Sequence, residues 1–254
     1  MREDIRRRNL KYHLWTIVSY FLTNVTAGLL WILYFALNRT TVVGREHTRR
    51  PSFSNTLLVS NHQSMIDSWA IGVTAFYPRS WLWPHLLPWN AAAYENFFRP
   101  WWLGVLSSLW KCIPVREGRR DLVALKRMME VMPRGVMTLF PEGTRTRTGD
   151  VGPARGGAGM LVLMTRATVM PVALEGMQDV LPIGSKIPRV FKRVYIAFGP
   201  PIDYSDLADE RSKENAQAVV DRIMDQVRLL HADLRRRRLA DLGRPEAETA
   251  GDRS

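Results

Sequence analysis

A single cysteine, Cys112, stands in 254 residues. That excludes an intrachain disulfide framework and any cysteine-rich zinc or iron–sulfur site. Acidic residues are in short supply, with 24 Asp and Glu against 36 Lys and Arg. Apolar residues are not: 46% hydrophobic and 24% charged is the composition of a globular protein, which excludes disorder over the whole chain. A mean hydropathy of −0.16 excludes a polytopic membrane protein. The sequence has no internal repeats, and no helix-turn-helix, RNA-recognition or zinc-finger pattern.

The excess positive charge lies in the body of the chain. Residues 12–204 hold 21 basic and 11 acidic side chains, whereas residues 205–254 hold 10 and 11. A basic body suits an anionic partner, whether nucleic acid, a phospholipid surface or a phosphorylated substrate.

One stretch lacks charge altogether. Residues 14–37 (LWTIVSYFLTNVTAGLLWILYFAL) are 24 positions without an ionisable acid or base of the Asp, Glu, Lys or Arg kind. A helix of that length spans about 36 Å at roughly 1.5 Å per residue, enough to cross a bilayer. Trp15, Tyr20, Trp31 and Tyr34 suit the membrane interface, and Arg6, Arg7, Arg8 and Lys11 precede the run. Thr23, Asn24 and Gly28 sit mid-run and permit a break into two short helices within one leaflet. A buried core helix is the competing reading.

From residue 39 the composition is that of an α/β domain. TLLVS at 56–60 reads as a buried strand, and 121–132 as a helix with Leu122, Leu125, Met128, Met129 and Met132 on one side. Residues 136–140, 168–174 and 190–198 read as further strands, and 160–166 as a helix after a Gly-rich loop. Ala216, Val219, Ile223, Val227 and Leu230 mark one face of a C-terminal helix. Beyond residue 239 the chain is polar and aperiodic. The expected organisation is a helical segment at 1–38, one domain at 39–238 and a flexible tail at 239–254.

Three segments carry chemistry. In Ser60-Asn61-His62-Gln63-Ser64-Met65-Ile66-Asp67 a histidine follows a strand, with a carboxylate five residues on. Five residues of ideal helix set side chains about 140° apart, so His62 and Asp67 meet only if a turn intervenes, with Asn61 or Ser64 capping it. A carboxylate on Nδ1 fixes the tautomer and leaves Nε2 to take a proton. Read alone, the segment is equally a capped strand–turn–helix. No second His or carboxylate follows at metal-ligand spacing, so no metal is expected. In Phe140-Pro141-Glu142-Gly143-Thr144-Arg145 the Gly143 turn, the Thr144 hydroxyl and the Arg145 fork can hold a phosphate. Glu142 can fix that arginine or accept from a substrate hydroxyl. In Ile113-Pro114-Val115-Arg116-Glu117-Gly118-Arg119-Arg120 three arginines can clamp an anion or form a solvated loop. Cys112, beside Lys111, is a poor nucleophile candidate. Between residues 81 and 110 lie six of the nine tryptophans, read as an aromatic core cluster or as an interfacial segment.

In combination these segments are far more specific. NHxSxxD after a strand, then IPVxxG, FPEGTR and VMPVAL, in this order, resembles the glycerolipid acyltransferase family, which includes the 1-acylglycerol-3-phosphate acyltransferases. The resemblance runs from Val43-Gly44-Arg45-Glu46 to Phe198-Gly199-Pro200-Pro201-Ile202. It implies a single α/β domain, a mixed sheet flanked by helices, with a membrane-associated N-terminal helical segment. It implies His62 as catalytic base with Asp67 orienting it, and Glu142, Gly143, Thr144 and Arg145 on the acceptor's phosphate; Arg116, Arg119 and Arg120, which flank the position of the family's further arginine, are expected to join them there. Acyl-CoA or acyl carrier protein donates the acyl group to a lysophospholipid, with no cofactor. The chain would sit on the inner or cytoplasmic membrane, its catalytic domain facing the cytoplasm, with no nucleic acid as partner. The sequence departs from the family pattern at Glu117, where an arginine is common, and at residues 91–95, where a lysine is. Both changes touch the phosphate, so another lysophospholipid or a phosphate-free acceptor is the alternative. A basic nucleic-acid-binding protein explains the charge but neither the apolar run nor the motifs.

Overall fold

The computed structural model describes residues 2–50, 52–116, 121–207 and 210–243, with backbone alone for 2–9. Glu117, Arg119 and Arg120 therefore lie outside the described residues, as do residues 244–254 of the expected tail.

A seven-stranded sheet forms the middle layer. Its strands are β1 (Arg39–Val43), β2 (Thr56–Ser60), β3 (Trp89–Ala93), β4 (Cys112–Val115), β5 (Val136–Leu139), β6 (Thr168–Glu175) and β7 (Arg193–Phe198). The order is β1-β7-β6-β2-β5-β3-β4. All neighbours are parallel except β6 and β7. Five strands thus run one way and two the other, which is the expected mixed sheet. β2 is central and wholly buried. Its apolar run serves both faces, because successive side chains alternate. Leu58 points into a core with Val172, Ile196 and Phe76. Leu57 and Val59 point into a second core with Met137, Leu161, Ile223 and Val227.

The first core is covered by α1 (Arg2–Trp31) and α2 (Asp67–Phe76); α3 (Tyr94–Phe97) and α4 (Trp101–Leu109) follow β3. The second is covered by α5 (Leu122–Val131), α6 (Gly157–Thr165) and α8 (Lys213–Asp241), while the short α7 (Met177–Val180) follows β6. Asp121 caps α5 by accepting from the Ala124 N–H at 2.9 Å, and Ser212 caps α8 by accepting from Asn215 at 3.0 Å. Helix α6 begins three residues before the sequence expectation, because its glycines are a contact surface. A Cβ on Gly159 would lie 1.8 Å from the Ala216 carbonyl oxygen, so only glycine lets α6 and α8 cross this closely.

Two further boundaries differ from expectation. β7 starts at Arg193 rather than Val190, since Phe191 takes a left-handed φ of 60° that no strand accommodates. Helix α8 runs through residue 239 to Asp241. There the Tyr195 hydroxyl donates to the Asp241 carboxylate at 2.7 Å, which pins the last turn.

The apolar N-terminal run forms one rod, α1 followed by a π-helical turn (Ile32–Leu37), and is not broken at residues 23–28. The mid-run polar residues are its docking face. Ser19 and Thr23 hydroxyls donate to the Leu109 carbonyl, at 2.6 and 3.3 Å. Asn24 accepts from the Ser80 hydroxyl at 2.7 Å, and Gly28 leaves room for the Tyr77 hydroxyl. The opposite face exposes Leu14, Phe21, Val25, Leu29 and Ile32. Residues 10–37 are long and apolar enough to cross a membrane.

Candidate active site

β2 ends at Ser60, and the chain turns through 61–66 into α2. Asp67 is the first residue of that helix and organises the turn itself. Its Oδ2 accepts from the Gln63 N–H at 2.6 Å, the Ser64 N–H at 2.8 Å and His62 Nδ1 at 2.9 Å. This turn closes the 140° gap left by a spacing of five. Neither Asn61 nor Ser64 caps α2, contrary to expectation. Asn61 instead exchanges two 2.9 Å bonds with the Leu174 backbone, extending the β2–β6 pairing, and the Ser64 hydroxyl donates to the Leu181 carbonyl. Asp67 is fully buried, and its Oδ1 has no hydrogen-bond partner among the described residues. A buried carboxylate with a spare lone-pair face is an electrostatic seat for a cation forming on the neighbouring ring.

The His62 side chain is 21% exposed, and Nε2 has no partner among the described residues. Phe140 stacks on the imidazole with centroids 4.3 Å apart. Three separate holds thus fix the ring: Asp67 on Nδ1, Phe140 on its face, and Glu142 on its backbone. The His62 N–H donates to Glu142 Oε1 at 3.0 Å, while Glu142 Oε2 accepts from the Gly152 N–H at 3.0 Å. Burial raises the Glu142 carboxyl above its ordinary value, against the pull of these two N–H groups. Glu142 is thus a bracket between loops. It does not orient Arg145, and both of its oxygens are taken before any phosphate arrives.

Gly143, at a φ of 68°, turns the chain after β5. Beyond it the N–H groups of Thr144 and Arg145 make no hydrogen bond among the described residues, and neither does the half-buried Arg145 guanidinium. Arg155, which the motifs do not mark, joins them: a Cβ on Gly143 would meet its Nε at 3.3 Å. Its signal in the sequence is only an arginine among the glycines of 149–159. Arg116 lies farther off. It follows β4, three strands from β2, or about 14 Å at roughly 4.8 Å per strand. It faces the Tyr94 ring at 5.7 Å.

Behind the turn lies a buried polar cluster that sequence reasoning missed. Gln63 Nε2 donates to Glu175 Oε2 at 3.3 Å, and Gln63 Oε1 accepts from the Met177 N–H. Glu175 also holds His231 at 2.9 Å and Arg238, which pairs with Asp179. The one hint was a histidine on the apolar face of the C-terminal helix. Burial pushes the Cys112 thiol up to about 12, which disfavours the nucleophilic thiolate. Of the tryptophan segment, Trp101 and Trp102 are exposed at the His62 end of the sheet. Trp81 and Trp83 are exposed at the other end, and Trp89 and Trp110 are half-buried.

A family profile described as Acyltransferase matches residues 39–175, over half the chain. A 1-acyl-sn-glycerol-3-phosphate acyltransferase of Bacillus subtilis is 24% identical over 189 residues, covering 72% of this chain and 85% of its own. A chloroplastic enzyme of the same name from Brassica napus is 33% identical over 87 residues, which span 33% of this chain and only 25% of the plant protein. The crystal structure of a 1-acyl-sn-glycerophosphate acyltransferase from Thermotoga maritima superposes with a TM-score of 0.59 at 20% identity, over 90% of this chain and 98% of that one.

Proposed function

This chain belongs to the acyltransferase family, and we propose that it moves an acyl group from acyl-CoA or acyl carrier protein to the free hydroxyl of 1-acyl-sn-glycerol-3-phosphate. The product is phosphatidic acid. The observation that carries this reading is the 2.9 Å His62–Asp67 contact, with Nε2 unpartnered among the described residues and the Thr146 N–H, next to Arg145, donating to the His62 carbonyl at 2.8 Å.

His62 Nε2 takes the acceptor's hydroxyl proton as that oxygen attacks the thioester carbonyl. Asp67 holds the ring and offsets the imidazolium charge. The tetrahedral intermediate collapses, the carbon–sulfur bond breaks, and the proton passes from His62 to the departing thiolate. Such a base contributes about 10²–10⁴ in rate. Arg145, Arg155, the Thr144 hydroxyl and the open N–H groups after Gly143 meet the phosphate. Arg116 serves a more distant part of the acceptor or donor, with Arg119 and Arg120 beside it in sequence.

Residues 1–38 form the membrane anchor of a catalytic domain at 39–238, on the cytoplasmic face of the inner or cytoplasmic membrane. The anchor lies in one leaflet. A helix bonded to the domain through Ser19, Thr23 and Asn24 loses those bonds if it crosses the bilayer.

The test is thiol release from acyl-CoA and from acyl carrier protein across a panel of lysolipid acceptors. Lysophosphatidate-dependent release that vanishes in His62→Ala supports the reading. Release with phosphate-free acceptors alone sinks the assigned acceptor.

A further inference from the structure

The segment 182–192, between α7 and β7, is an exposed loop that the proposed chemistry does not use. It projects Phe191, 84% exposed, and Ile187, 78% exposed, with Ile183 and Val190 also outward. Phe191 holds a φ of 60°, a costly conformation for a bulky side chain. Its ring makes no aromatic contact among the described residues, so packing within the fold does not account for the exposed side chain. The loop is nevertheless firmly placed. The Phe191 N–H donates to the Leu37 carbonyl at 2.8 Å. Buried Asn38 accepts from the Lys192 N–H at 2.7 Å and donates to the Arg189 carbonyl at 3.3 Å. These bonds tie the loop to the end of the apolar N-terminal rod.

Its charge is of one sign. From 180 to 202 the chain has Lys186, Arg189, Lys192 and Arg193 and no acidic residue. Arg193 pairs with Asp241, and the other three form no ion pair among the described residues. The strand directions fix where the loop sits. β7 begins at Arg193, and in the antiparallel register Tyr195 pairs with Glu175 at the end of β6, which is parallel to β2. The loop therefore leaves the same end of the sheet as His62. The exposed stripe of the N-terminal rod runs through Phe21, Val25, Leu29 and Ile32 to Leu37, whose carbonyl accepts from the Phe191 N–H.

We infer that residues 182–192 are a second membrane-inserting element. Ile187 and Phe191 enter the boundary between headgroups and acyl chains of an anionic phospholipid bilayer, and Lys186, Arg189 and Lys192 meet its phosphates. Together with the end of α1, the loop holds the His62 end of the sheet at the lipid surface, so a lysolipid keeps its chain in the bilayer while its hydroxyl reaches the base. This inference rests on the one-leaflet anchor proposed above and adds a contact which that reading does not require.

The test uses the full chain with Cys112→Ser and one new cysteine, labelled with an environment-sensitive fluorophore, at Phe191→Cys, at Phe21→Cys on α1, or at Lys213→Cys at the far end of the sheet. Vesicles are phosphatidylcholine with or without phosphatidylglycerol. Blue-shifted emission at 191 and 21 but not at 213 supports the inference. A chain that sediments with vesicles and shifts at 21, but stays water-like at 191, overturns it and leaves the anchor standing. A chain that stays in the supernatant with no shift at either position overturns both. With unlabelled protein, Ile187→Ser with Phe191→Ser lowers vesicle partitioning about tenfold or more. Lys186→Ser and Arg189→Ser each lower it about fivefold on anionic vesicles and leave neutral ones unchanged. Unaltered partitioning in all of these variants also overturns the inference.

Discussion

Glu142 and His62, 80 residues apart in sequence, are joined by a 3.0 Å bond from the His62 N–H to the Glu142 carboxylate. The second Glu142 oxygen reaches on to the Gly152 N–H. The FPEGTR segment thus positions the base itself, besides presenting cations to an anion. In Glu142→Gln one of the two N–H groups faces an amide donor. We expect kcat to fall at least about tenfold, with a smaller change in acceptor KM, because the loss is of geometry at the reacting centre. If Glu142 instead lay against the phosphate, removing its charge would lower acceptor KM. Steady-state kinetics in both substrates separate the two.

His62 and Asp67 act as one unit, because Asp67 touches the reaction through the ring alone. His62→Ala should cost about 10²–10⁴ in kcat. Asp67→Asn should cost less, since an amide oxygen can still accept from Nδ1 and the two N–H groups but offsets no charge. The double variant should be no slower than His62→Ala. A further tenfold loss in the double variant would give Asp67 a separate role.

The cluster behind the turn makes stability depend on acid. Burial works to raise the Glu175 carboxyl, but His231 and Arg238 outweigh it and hold it below its ordinary value near 4.5. A carboxylate depressed in the folded state stabilises above the unfolded value, and this contribution is lost as pH falls through the lower folded value. Glu142, raised by burial, acts oppositely: the folded chain takes up its proton above 4.5 and gains stability there as pH falls. The unfolding free energy of Glu175→Gln, read from denaturant curves, should therefore fall at neutral pH by an amount on the order of 3 kcal/mol. The gap to wild type should close below about pH 4.5. A gap that stays constant to pH 3 would show that the Glu175 charge contributes nothing.

What the sequence disclosed follows from local physics. β2, β5 and α5 carry strong periodicity, a cap and a Pro-Gly stop, so they were legible. β3 is three alanines behind a tryptophan, and β4 contains Pro114, which the sheet tolerates because β4 is its edge strand. Nothing in those segments alone signals a strand. The pairing of His62 with Asp67 was legible as chemistry, but the turn that achieves it is built by Asp67, not by its neighbours. Glu175 and His231 meet across 56 residues, and no pattern in the intervening chain announces that contact. In α1, Ser19, Thr23 and Asn24 read as flaws in a membrane helix until the surface they bind is known.

Arg145 is the cation best placed for the acceptor. It is half-buried, follows the Gly143 turn, and has no carboxylate partner among the described residues. A partly buried guanidinium left unpaired by the fold is set for an anion that arrives with the substrate. Arg145→Lys keeps the charge but loses the bidentate fork. The loss of one charge-assisted hydrogen bond is about 1.5–3 kcal/mol, or roughly 10- to 150-fold in kcat/KM for lysophosphatidate. The effect should fall on acceptor KM, with donor KM little changed, because Arg145 lies away from the thioester. Arg155→Lys should repeat the pattern more weakly, since that side chain is more exposed and better screened. An acceptor that lacks the phosphate should be indifferent to both changes. Equal losses with phosphorylated and phosphate-free acceptors would show that neither arginine sees the phosphate, and the acceptor's placement in this site would have to be reversed.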